Sequence, residues 1–286
     1  MRIIYIDIDT LRADHLGCGG YHRNTSPNID NVASAGINFR NVYASDVPCL
    51  PSRTALITGM FGIRNGVINH GGRAADLQPE GKDRGFFGRF SMRSWASVFY
   101  LAGWHTASIS SFPFRHGASW WNSGFMESMN LMRGFGGERA DQVIPGALDW
   151  LERRGKADDW FLHVHLWDPH TPYRTPEDYG NPFESDPIPS WHTEDVRIAN
   201  WDLSGPHSAQ EPWGFRPDEW GEPPPRQPWN ASSMDAVKQI FDGYDVGIRY
   251  ADDAVGVLLN KLADLNVLED TACLLYTSPS PRDLDL

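Results

Sequence analysis

The run from Arg2 to Asp9 limits the architecture more than any other stretch of the chain. Read as extended backbone, it points Ile4, Ile6 and Ile8 one way and Ile3, Tyr5, Asp7 and Asp9 the other. A short segment this rich in isoleucine suits a strand buried in an α/β sheet. The rhythm then repeats. Trp95 to Ala102 reads as a helix capped by Ser94 and stopped by Gly103, and His105 to Ser110 as a strand. Asp141 to Arg154 reads as an amphipathic helix ended by Gly155, and Trp160 to Trp167 as another strand. Alternating strands and helices predict an α/β fold with a mostly parallel central sheet and helices on both faces. Asn24 to Asn28 opens a further helix, with Ser26 as N-cap and Pro27 at the first position. Gly36 closes it, and Ile37 to Val42 is expected to be the next strand. Ser233 caps a long helix in which Val237, Ile240, Phe241, Tyr244, Ile248, Ala251, Val255, Leu258, Leu259 and Leu262 recur three and four apart. A strand should follow from about Thr271.

With 286 residues and 41% hydrophobic content, the chain can build one large core or a domain and a half. A net charge of -12 argues against a nucleic-acid partner, because phosphate contacts need clustered Lys and Arg. It leaves room for a small anionic substrate held by local cations and a metal. No apolar run approaches membrane-spanning length, so no membrane partner is expected. Taking Met1 as the start, no signal-peptide layout precedes the first strand, which predicts a cytoplasmic location. Three cysteines give no disulfide framework.

The chemistry centres on Cys49-Leu50-Pro51-Ser52-Arg53-Thr54-Ala55-Leu56-Ile57-Thr58-Gly59. The run reads as a loop turning into a helix: Pro51 fits the first turn, where a missing N–H costs nothing, and Gly59 is a good stop. Cys49 is then at a helix N-terminus, where free N–H groups and the macrodipole favour anions and a reactive sulfur. A lone cysteine before a helix reads equally well as a buried structural one. Asp9 is at the carboxyl end of the first strand, where open α/β sheets bind ligands. It reads either as a strand-end carboxylate in a turn or, with Cys49, as part of a metal site. His170, in Asp168-Pro169-His170-Thr171-Pro172-Tyr173, stands just beyond the strand that contains His163 and His165, which read as core histidines. The loop holding His70-Gly71-Gly72 reads as an ordinary surface loop, able to line a pocket.

Cys-x-Pro-Ser-Arg followed by Thr-Ala-Leu-x-Thr-Gly resembles the signature of the type I sulfatases. Asp9-Thr10-Leu11-Arg12-Ala13-Asp14-His15-Leu16-Gly17 is similar to their first metal-binding motif, and Asp168 to Tyr173 to their Asp-Pro-His-x-Pro-Tyr motif. The resemblance extends from about Arg2 to Ala272 and implies an alkaline-phosphatase-like fold. It implies hydrolysis of a sulfate ester, or of a sulfamate, on a small substrate such as a sulfated carbohydrate. Cys49 would be oxidised to formylglycine by a maturation enzyme that reads Cys-x-Pro-x-Arg. A divalent metal, Ca2+ or else Mg2+ or Mn2+, would be held by Asp9 and residue 49, with Thr10 where other members carry a second Asp. Arg53 would orient the hydrated aldehyde, and His170 would contact the sulfate or its leaving oxygen. Asp7, on the same strand face, would lie behind Asp9. Many members carry Gly-Lys-x-His after the second strand. Here Ser111 and Pro113 occupy those places, and Arg115 and His116 are the nearby candidates to stand in.

Two further expectations concern organisation. Residues 172–230, crowded with Pro, Trp, Asp and Glu, read as an insertion in a catalytic domain spanning 1–272. Residues 273–286 read as a non-native tail, because Cys273 to Asp283 looks like a translated sequencing-library adapter. On that reading the domain is incomplete, lacks the family's remaining metal ligands and would be inactive as it stands. Alternatives are a phosphonate monoester or phosphodiester hydrolase of the same superfamily, a metal-dependent phosphatase or mutase with an unmodified nucleophile, or a non-catalytic fragment.

Overall fold

The isoleucine-rich first segment is an interior strand of a five-stranded sheet, β1 (Arg2–Ile8). It pairs in parallel with β4 (Trp160–Leu166) on one side and β5 (Thr271–Thr277) on the other, Ile8 lying opposite Leu166 and Thr277. β2 (His105–Ile109) continues the sheet beyond β4, and β3 (Glu127–Met129), which the sequence pattern does not reveal, forms the edge. Every pairing is parallel, and the order is β3-β2-β4-β1-β5. The computed structural model describes residues 1–78, 94–131, 137–203, 208–212 and 225–277.

The period-two reading of β1 holds in three dimensions. Ile4, Ile6 and Ile8 join Leu162, Val164 and Leu166 in one core beneath α1 (Pro27–Ala35), α6 (Ala140–Arg154) and α8 (Met234–Asp264). On α8, Ile248, Val255, Leu258 and Leu262 are fully buried there, each contributing about 1.5–3 kcal/mol of burial. The other sheet face carries Tyr5, Asp7 and His163 and is covered by aromatic side chains, among them Trp95 of α4 (Trp95–Leu101). A second, smaller core gathers Cys49, Leu50 and Ile57 of α2 (Cys49–Thr58) with Phe112 of the short α5 (Phe112–Arg115) and with Trp121 and Trp167. Short α3 (Gly62–Asn65) follows α2, and α7 (Glu194–Trp201) lies in the Trp/Pro-rich region, part of which falls outside the described residues. Gly59 ends α2 in the left-handed region, at φ +62°.

α8 does more than fill the core. Asp245 accepts hydrogen bonds from His15 (2.7 Å), Tyr21 (2.8 Å) and Arg23 (2.8 Å). Asp252 accepts the N–H groups of Asn28 and Ile29, satisfying the open first turn of α1 from outside. Ser26 is the N-cap residue of α1, but its hydroxyl bonds Asp30 and Gly17 instead of capping.

Residues Ile37 to Val42 are not a strand. Ile37, Phe39 and Val42 are 79%, 74% and 67% exposed. Their alternation satisfies the pattern, but a strand also needs a neighbour to complete its hydrogen bonds, and none pairs with it among the described residues. β5 spans the boundary at 272 between the expected domain and the expected tail, and residues 278–286 lie outside the described residues.

Candidate functional site

Asp9 is the first residue past the carboxyl end of β1, held there by its N–H to Leu166 O (2.9 Å). Thr10 turns the chain with φ +53°, unusual for a β-branched residue. The Tyr244 hydroxyl fixes this turn by donating to Thr10 O (2.6 Å) and accepting from Arg12 N (2.9 Å). Asp9 Oδ2 and Thr10 Oγ1 are both buried without a hydrogen-bond partner among the described residues. Orphan oxygens on consecutive residues are costly to bury unless something binds them.

α2 brings two more groups. Cys49 is its first residue and Arg53 lies one turn further, so both face the end of β1. Cys49 Sγ is 3.5 Å from Asp9 Oδ1. Arg53 donates Nε–H and Nη2–H to the two Asp7 oxygens, at 2.6 and 2.7 Å, and its Nη1 lies 3.3 Å from Asp9 Oδ2. Its guanidinium stacks on the Phe112 ring, 4.7 Å from the centroid. The helix N-terminus was expected to make the sulfur reactive, and the structure corrects this. Burial and the neighbouring Asp9 carboxylate push the Cys49 thiol well above its ordinary range, so it stays protonated.

The loop after β4 supplies His170. Its Nδ1 bonds the Thr171 carbonyl, which makes Nδ1 the protonated nitrogen and leaves Nε2 with a bare lone pair. Burial lowers His170 to about 4, so it is neutral near pH 7. Asp9, Cys49 and His170 each offer a ligand atom, and these atoms lie within 4.8 Å of one another. The donors fit a hard cation on one condition. Asp9 and Thr10 give oxygens, as such an ion requires, but a thiol is a soft donor, so residue 49 suits the site once it carries oxygen.

Ser111 and Pro113 are buried away from this chemistry; Ser111 bonds Glu138 and accepts Trp167 Nε1–H (2.8 Å). Arg115 instead lies over the Trp167 ring at 5.0 Å, and that ring is 5.8 Å from His170. His116 packs on His70, ring centroids 4.6 Å apart, and the Nε2 of each is buried without a hydrogen-bond partner among the described residues. Burial lowers His70 to about 4 and His116 to about 2, and the Asp9 carboxylate opposes both shifts. His70 is half-buried within a largely exposed loop and reaches the candidate site through its packing on His116. No local signal marks it, because its position depends on how α3 and α5 pack. His163 and His165 are core histidines by burial, yet they face Asp7 at 3.9 Å and Asp9 at 3.6 Å.

The family model for sulfatases matches residues 2–278. Human iduronate 2-sulfatase is 26% identical, the match covering 95% of this chain and 53% of that protein. A protein solved in complex with its substrate D-glucosamine-2-N,6-O-disulfate superposes with a TM-score of 0.68 at 19% identity, covering 96% of this chain and 64% of that one. The phosphonate monoester hydrolase of Silicibacter pomeroyi superposes with a TM-score of 0.63 at 16% identity, covering 96% and 61%. The chain spans about half the length of the curated relatives it matches. With a sulfatase model matched along nearly all of its length and a parallel sheet that superposes on alkaline-phosphatase-superfamily structures, the chain belongs to the sulfatase family.

Proposed function

We propose that this protein hydrolyses a sulfate ester, or a sulfamate, on a small substrate such as a sulfated sugar, with residue 49 acting as formylglycine. The observation that carries the reading is the convergence of Asp9, Cys49 and His170 within 4.8 Å at the carboxyl end of the sheet, with Arg53 beside them. Asp9, Thr10 and residue 49 would hold a divalent ion, which supplies Lewis-acid polarisation and offsets charge on the transferring group. The matured residue 49 supplies the nucleophilic hydroxyl that a buried, protonated thiol does not. Arg53 sets a fixed positive charge at the side chain of residue 49. His170, neutral and bare at Nε2, is built to accept a hydrogen bond or proton at that nitrogen. Arg115 and His116 are the candidates to stand in for the Lys and His of other members, and His116 packs on His70. The N-terminal N–H groups of α2 add donors toward negative charge.

The test is coexpression with a formylglycine-generating enzyme, mass analysis of the residue-49 peptide, and a panel of sulfate esters, sulfamates, phosphodiesters and phosphonates. The expected result is an aldehyde at residue 49 and best turnover of a sulfate ester or sulfamate, both lost in Cys49→Ala. Thiol alone at residue 49 would favour a phosphatase-type enzyme. A preference for phosphodiesters would favour the second reading, a phosphonate or phosphodiester hydrolase, for which the likeness to the Silicibacter pomeroyi enzyme speaks.

A further inference from the structure

The chemistry proposed above leaves Asp7 unused. Its carboxylate is 1% exposed, inside the sheet between β4 and β5. A charge there is tolerated only when matched. The match is lopsided. Two of the three Arg53 nitrogens, Nε and Nη2, are tied to Asp7 at 2.6 and 2.7 Å, whereas Nη1 stands 3.3 Å from Asp9 Oδ2 and makes no hydrogen bond among the described residues. His163 backs the carboxylate with Nε2 at 3.9 Å from Asp7, its ring fixed through Nδ1 to Ser108 Oγ at 2.9 Å. Phe112 stacks on the guanidinium at 4.7 Å. Without the Asp7 carboxylate, the nearest anion for Arg53 would be Asp9. A guanidinium seated there would take up the oxygens a cation needs and repel the cation at short range.

We propose that Asp7 is a positioning residue that takes the bidentate face of the Arg53 guanidinium, leaving only Nη1 near Asp9 and the Asp9 carboxylate free of hydrogen bonds from Arg53, so that it can accept a cation. The proposal rests on the metal-site reading above. It differs from a purely structural role, because it says Asp7 acts on cation binding only through Arg53.

The test uses the full chain with calcium chloride or manganese chloride as the probe, followed by calorimetry, and metal-free crystal structures of the wild type and Asp7→Asn. Asp7→Asn should bind the ion about tenfold more weakly. The double variant Asp7→Asn/Arg53→Met should return to within about threefold of the wild type. Unchanged affinity in Asp7→Asn overturns the proposal, as does a double variant as weak as the single one. Should Asp7→Asn fail to fold, the double variant, which removes both charges, still decides. If the wild type binds no ion, the metal reading falls, and the crystal structure of Asp7→Asn tests the positioning separately. Arg53 is expected to swing onto Asp9 in that variant; a guanidinium still seated against the substituted side chain at position 7 overturns the proposal.

Discussion

Cys49 is a chemically quiet cysteine. Its sulfur is buried and 3.5 Å from a carboxylate, and both features hold the proton on. Asp9→Asn removes one of them, so the rate of alkylation by iodoacetamide near neutral pH should rise. A rate-against-pH profile checks this, and an unchanged profile would remove Asp9 from the account. The histidine pair makes a second prediction. His70 and His116 take pKa values of about 4 and about 2 in the folded protein, because burial opposes their charged form. Unfolded, they titrate near 6.5. Stability is therefore fully present above about pH 6.5 and is lost as pH falls from there toward the folded values, because the unfolded chain takes up protons first. Each histidine adds a slope of up to about 1.4 kcal/mol per pH unit in that window. Urea unfolding between neutral pH and mild acid should be flatter in His116→Gln than in the wild type. At this scale the sequence was informative where a residue sits in a motif. Asp9, Cys49, Arg53 and His170 were all named in advance, and they come together. His70 reads from sequence only as part of a loop able to line a pocket, because a histidine in a glycine-rich loop has no pattern of its own. Asp7 was placed behind Asp9 without its partner, because a bidentate pair across two elements appears only after α2 docks on β1.

The elements were legible wherever period and caps agreed. Ser94 and Ser233 both accept the N–H three residues on, as their positions before apolar periodic runs implied. Ser233→Ala should lower stability by about 1 kcal/mol, with Gly costing less, measured by chemical denaturation. Pattern failed for the segment after α1, where alternation without a partner gives no strand, and for β3, whose three residues are too short to show a period. The largest expected effect belongs to the clamp between α8 and the segment after β1. Arg23 is buried, hydrogen-bonds Asp245 at 2.8 Å and is ion-paired with Asp242 at 2.9 Å. Arg23→Met takes the guanidinium from Asp245, which keeps His15 and Tyr21, and from Asp242, which keeps Lys238, and should cost about 1–3 kcal/mol. If the melting temperature barely moved, the clamp would not be the anchor of this segment.

Across the whole molecule, parallel pairing decides where chemistry can occur. Strands running the same way deliver Asp9 after β1 and His170 after β4 to the carboxyl end of the sheet. The same fold leaves Ile37, Phe39, Val42 and Tyr43 in solvent, together with Phe61 just before α3 and Ile63 within it. Apolar side chains this concentrated promote association. Sedimentation should show concentration-dependent self-association that weakens in a Phe39→Ser/Tyr43→Ser variant, and a concentration-independent monomer would refute this. A last consequence comes from the underside of the His170 loop. At Gly247 of α8 a Cβ would lie 2.6 Å from Asp168 O, and at Gly243 it would lie 2.3 Å from Arg226 O and 2.6 Å from the Tyr173 ring. The loop is thus indexed to two bare spots on a helix, as a part is located by dowels. Mutagenesis libraries confined to pocket-lining residues would leave out both spots, although a methyl group at either would shift the loop and His170 with it. Efforts to retune this site for a new substrate should keep both glycines fixed and vary only what stands above them.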